Sequence, residues 1–195
     1  MPTPPSPLPI RARRLRHPPL LAMSITTLTL ATTLLPSPTL AQDAASFRQT
    51  WLGEFETSAR KLVALAEAMP AESFSWQPME GVATVASAYM HIATYNYLLP
   101  LNIGIRAPAG VDYRSFEEAV TGKDQVLEVL KTSLDHVRQA VDGMSDADLS
   151  APANLFGRET AAWGVLFRLV AHMNEHLGQQ IAYARMNRVA PPWSR

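Results

Sequence analysis

The sequence predicts an all-α protein, an up-and-down four-helix bundle. Four long stretches carry apolar residues at three- and four-residue spacing, and proline and glycine separate them. No stretch sustains the alternation of a half-buried strand, and no internal repeat is visible. Amphipathic helices of this length bury their apolar stripes most simply against one another.

The first helix is expected over residues 44–68, with Phe47, Trp51, Phe55, Leu62, Leu65 and Met69 spaced by threes, fours and one seven. Pro70, Trp76-Gln77-Pro78 and Gly81 form the connection to the next. The second runs over 82–99 on Val82, Val85, Tyr89, Ile92 and Leu99, and Pro100 stops it because its ring removes the backbone donor. Residues 102–115, with Gly104, Pro108 and Gly110, make the longest loop. The third helix covers 116–141, its stripe Leu127, Leu130, Leu134, Val137 and Val141. Gly143, Pro152 and Gly157 lie in the last connection. The fourth helix covers 159–187 and ends before Pro191-Pro192, with Trp163, Leu166, Val170, Met173, Leu177 and Ile181 as its main stripe.

Residues 1–41 read as a signal peptide rather than as fold. Arg11, Arg13, Arg14 and Arg16 form a basic start, Leu20 to Leu35 a mostly apolar stretch, and Thr39-Leu40-Ala41 a small-residue cleavage pattern. That stretch has 16 residues, fewer than the ~20 that span a bilayer. The expected location is therefore periplasmic or secreted, with no stable membrane span after cleavage. Arg13-Arg14 hints at twin-arginine export without matching that signal well, so the route stays open. The mature domain is residues 42–195. Of 17 basic and 17 acidic residues, four basic ones leave with the signal, so 13 basic residues face 17 acidic, a net of −4. No basic run survives, which argues against nucleic acid as a partner. With no cysteine, imidazole and carboxylate are the available metal chemistry.

His172 and His176 stand four residues apart on the fourth helix, rotated by only ~40° and separated by ~6 Å along its axis. Both imidazoles can point at one ion, and His91 on the second helix is the best third ligand. Three neutral nitrogens with a position left for water or substrate is the pattern of a reactive metal site. By phase, His172 and His176 lie roughly 110–150° from the centre of their stripe, and His91 lies on the flank of its own beside Tyr95. The competing reading is that each is a solvated or singly hydrogen-bonded side chain. His136 points away from its stripe and is expected at the surface; His17 leaves with the signal.

Glu175 completes His-x-x-Glu-His, the inverted zinc-protease spacing, but that motif needs a distant acidic ligand and only 19 residues follow His176. Glu175 is also rotated ~60° or more from either histidine. A surface charge is its ordinary role. Tyr95, Glu175 and Gln179 are the candidates for positioning or moving protons beside the metal.

The sequence resembles the DinB-like metal-binding four-helix bundles, which include thiol-dependent S-transferases. The resemblance rests on Phe74-Ser75-Trp76-Gln77-Pro78 ahead of His91, on His172-x-x-Glu-His176-x-Gly178-Gln179, and on the tail Ala184-Arg185-Met186-Asn187-Arg188 with Pro191-Pro192-Trp193. It covers essentially the whole mature chain. It implies one divalent transition metal (zinc, nickel, iron or manganese) on His91, His172 and His176. Relatives that use cytosolic thiols differ from this chain, whose signal directs it away from that reduced pool. The expected activity is metal-dependent hydrolysis or group transfer on a small molecule, and a second copy of the chain, in a homodimer, is the candidate protein partner. A non-catalytic metal-binding or stress-related bundle is the alternative, and a helical domain whose histidines never meet is a third.

Overall fold

One face of a long first helix, α1 (Pro38–Ala68), is buried through Trp51, Phe55, Leu62 and Leu65 of the expected stripe, with Ala59 filling the gap in it. The computed structural model of the protein describes residues 38–194, with side chains from Ser46 onward. Most of the expected signal peptide, residues 1–37, lies outside the described residues, as do the side chains around the expected cut after Ala41. Among the described residues no helix is long and apolar enough to cross a membrane.

A 3-10 turn at Ala71–Ser75 leads to α2 (Val85–Leu98). This helix starts three residues later than expected because Thr84 caps it, its side chain accepting from the Ser87 amide at 3.1 Å. Ten of its 14 residues are buried, so burial on α2 extends well beyond one narrow stripe. The third predicted helix is broken: α3 (Phe116–Ala119) stops at an extended Val120, and α4 (Lys123–Asp142) begins after Gly122. A short α5 (Asp146–Ser150), closed by a Ser145–Asp148 capping box, follows.

The last connection also departs from the all-helical expectation. Residues 152–155 (β1) and 158–161 (β2) pair antiparallel, with Pro152 opposite Ala161 and Leu155 opposite Arg158. Phe156 and Gly157 both adopt positive φ, 53° and 83°, the conformation a two-residue hairpin turn demands. The hairpin delays the final helix, α6, to Ala162–Met186. Four-residue strands are too short to leave a legible alternation.

The helices α1, α4, α2 and α6 follow one another around the bundle, each packing on its two neighbours. Helices α1 and α2 thus face each other across it, as do α4 and α6. Trp51 Nε1 donates to the Leu166 carbonyl at 2.9 Å and ties α1 to α6 inside the core. On α6 the buried residues are Ala162, Val165, Leu166, Leu169, His172, Met173, Leu177, Gln180, Tyr183 and Ala184. That face is rotated roughly 70° from the expected stripe, toward the histidines. Trp163, expected in the core, is 51% exposed.

His136 is a second correction. It is half-buried, packed on Tyr97 with ring centroids 4.8 Å apart, and its Nε2 has no hydrogen-bond partner. Burial lowers its pKa from the usual imidazole value.

Candidate metal centre

Because α2 and α6 are neighbours, the flank of α2 bearing His91 faces the flank of α6 bearing His172 and His176. One ring nitrogen from each of the three lies within 4.8 Å of the others. Ring centroids are 5.0 Å apart for His91 and His172, 4.7 Å for His91 and His176, and 4.5 Å for His172 and His176. The juxtaposition expected from helical phase is therefore present. His91 and His176 are half-buried, whereas His172 is only 4% exposed and lies deeper than the flank position implied.

His172 is stacked on Tyr95 with centroids 4.3 Å apart and planes inclined by 29°. Burial, reinforced by the neighbouring His176, His91 and Arg168, pulls its pKa down to about 3. The ring is thus held in the neutral form that coordinates metals. Tyr95 also contacts His91 at a centroid distance of 4.6 Å, so its ring lies against two of the three imidazoles.

His176 Nδ1 stands 2.8 Å from Gln179 Oε1, and Gln179 Nε2 donates to Tyr183 Oη at 2.8 Å. The Tyr183 hydroxyl then donates to the Ala83 carbonyl at 3.2 Å. Trp76 packs edge-on against Tyr183 at 5.4 Å, which places the Trp76-Gln77-Pro78 motif behind this relay. The relay assigns the amide: Gln179 Oε1 accepts the Nδ1 proton, and His176 Nε2 keeps its lone pair. Gln180, one turn on from His176, is fully buried and donates to the Val85 carbonyl at 2.9 Å.

His91 Nδ1 lies 2.9 Å from Glu117 Oε1. Glu117 sits on α3, 26 residues from His91, and nothing in the spacing of the sequence singled it out. Glu175 is elsewhere: its two oxygens accept from Arg168 at 3.0 and 3.3 Å in an exposed pair on α6. It does not join the cluster. The donor set fits a divalent transition ion, because two rings have Nδ1 against oxygen acceptors and the third is kept neutral by burial.

The sequence model described as the DinB superfamily matches residues 54–180, a span that includes all three histidines. No curated protein matches the chain. Among solved structures, the chain is similar to a DinB-like protein from Bacillus cereus, with 22% sequence identity and a TM-score of 0.63. The match covers 76% of this chain and 95% of that one, and at this identity it speaks for the fold alone. With a family match over well more than half of its length and the same bundle, this chain belongs to the DinB superfamily.

Proposed function

We propose that residues 42–195 form an exported, periplasmic or secreted protein that holds one divalent transition metal on His91, His172 and His176. The activity proposed for it is metal-dependent hydrolysis or group transfer on a small molecule. The observation that carries this reading is the approach of three imidazole nitrogens, one from each residue, to within 4.8 Å. Three nitrogens leave a tetrahedral or octahedral shell incomplete, and two of the rings are half-buried rather than sealed, which favours an open site over a closed structural one. A divalent ion there supplies Lewis acidity toward an oxygen of the substrate. The protein's own part is to keep the rings neutral and correctly turned. The family resemblance implies zinc, nickel, iron or manganese, and the first-row affinity order and availability select among them.

The test is metal analysis of the purified mature protein and of His91→Ala, His172→Ala, His176→Ala and His136→Ala after dialysis. One equivalent is expected in wild type and in His136→Ala, and sharply less in the other three. Equal metal in all four variants would move the site elsewhere. Cobalt-substituted protein should change its visible spectrum on addition of azide or a small thiol. A spectrum indifferent to both sends the reading to a non-catalytic metal-binding bundle.

A further inference from the structure

The connection between α2 and α4 is clamped onto α2 at several points that have no part in the histidine cluster. Thr94 Oγ1 donates to the Tyr113 carbonyl at 2.9 Å, and Tyr113 stacks on Tyr97 at 5.9 Å. Phe116 meets the same Tyr97 ring edge-on at 6.1 Å. His91, Thr94 and Tyr97 recur every three residues, so these contacts follow one side of α2 back toward His91. They deliver the next residue, Glu117, to the His91 ring.

None of the four residues of α3 is fully buried, so apolar packing alone does not explain why the segment turns its carboxylate inward. The Glu117 side chain is 38% exposed and that of His91 28%, so the bond between them is partly screened from water. A carboxylate accepts hydrogen bonds and donates none when ionised. The proton shared at 2.9 Å therefore belongs to His91 Nδ1, and the lone pair of a neutral ring belongs to Nε2. A carboxylate in this place also makes the imidazole a stronger donor.

We propose that Glu117 is a positioning residue of the histidine cluster: through α3, the α2–α4 connection holds His91 as the Nδ1–H tautomer and leaves Nε2 as its free ligand atom. The proposal rests on the metal-site reading for its purpose, but the tautomer is a property of the metal-free protein. The two histidines with identified acceptors are served differently. His176 relies on a neutral amide one turn along its own helix, whereas His91 relies on an anion carried by a separate segment. Displacing that segment would weaken one ligand without touching the other two.

Long-range proton–nitrogen NMR of the imidazoles, on metal-free protein at pH 8 and so above the ordinary imidazole range, reads this directly. The wild-type His91 ring should carry its proton on Nδ1. Glu117→Ala should move it to Nε2, Glu117→Gln should keep it on Nδ1 because the amide oxygen still accepts, and Glu118→Ala, one position on, should change nothing. Zinc affinity, read by competition with a chromophoric chelator, should fall about tenfold or more in Glu117→Ala. Glu117→Gln should lie between that variant and wild type. A His91 ring protonated on Nε2 in wild type, or unmoved in Glu117→Ala, would overturn the assignment. So would a Glu118→Ala variant that behaves like Glu117→Ala. A wild-type protein that binds none of zinc, nickel, iron and manganese, yet whose His91 tautomer responds to Glu117, would sink the proposed function and leave this assignment standing.

Discussion

His176 and Gln179 form the most completely supported contact of the cluster: the imidazole Nδ1 meets the amide oxygen at 2.8 Å, one turn further along the same helix. The amide is locked in turn by Tyr183, and Tyr183 by the Ala83 carbonyl and the edge of Trp76. Both ends of the Gln179 amide are thus engaged, one by the His176 ring and the other by Tyr183.

Gln179→Leu should lower metal affinity by about 10- to 100-fold, the usual cost of losing a hydrogen bond behind a ligand. Tyr183→Phe should cost less, because the amide oxygen still reaches His176. Chelator competition at pH 7.5 ranks the three proteins. A Gln179→Leu protein with wild-type affinity would show that the ring needs no partner.

The sequence carried the bundle and the meeting of the histidines because both depend on local periodicity. Gln179 was within reach for the same reason, lying three residues from His176. Where burial was set by tertiary contacts, periodicity misled. On α6, Trp163 looked like core but faces out, since the helix turns Val165, Leu169 and Tyr183 inward instead. The phase argument therefore placed His172 too near the surface. Glu117 was hidden more thoroughly. It lies inside a stretch whose spacing predicts one helix, and the break at Val120–Gly122 has no strong signal beyond a single glycine. Its pairing with His91 is a contact between distant segments, which no spacing rule can reveal.

Stability should depend on pH through His136. Burial lowers its folded pKa, whereas the unfolded imidazole titrates near ~6.5. The unfolded chain then binds the proton more readily. The contribution of His136 is fully present above ~6.5 and is lost as pH falls from there toward the lowered folded value. His136→Phe keeps a ring against Tyr97 and removes both the titration and the unpartnered Nε2. The variant should gain up to about 1 kcal/mol at pH 7.5 and a larger margin over wild type at pH 5. Urea unfolding of metal-free protein at both values measures it. A margin that shrinks at pH 5 would contradict the sign.

Export should leave a mature protein that begins at Gln42. The basic start, the short apolar stretch and Thr39-Leu40-Ala41 all point to that bond. Intact-mass measurement on the envelope fraction of the producing cell reads the terminus. Full-length chain recovered from the cytosol would remove both the export proposal and the net charge of −4 built on it.

Tyr95 offers a way to separate packing from proton chemistry at the cluster. Its ring lies 4.3 Å from that of His172 and 4.6 Å from that of His91, so it limits how far either imidazole can swing. Tyr95→Phe retains this contact and should keep wild-type metal affinity, with stability changed by less than about 0.5 kcal/mol. Tyr95→Ala frees both rings and opens a cavity. It should lose about tenfold in affinity, as other losses behind a ligand do, and about 3 kcal/mol of stability. If Tyr95→Phe loses as much metal as Tyr95→Ala, the hydroxyl and not the ring supports the site, and the packing role is wrong. If Tyr95→Phe keeps its metal but loses turnover on a substrate that the wild type converts, the hydroxyl belongs to the chemistry. General acid–base losses of 10²–10⁴-fold would mark that case, far beyond what a change in packing at constant metal content produces.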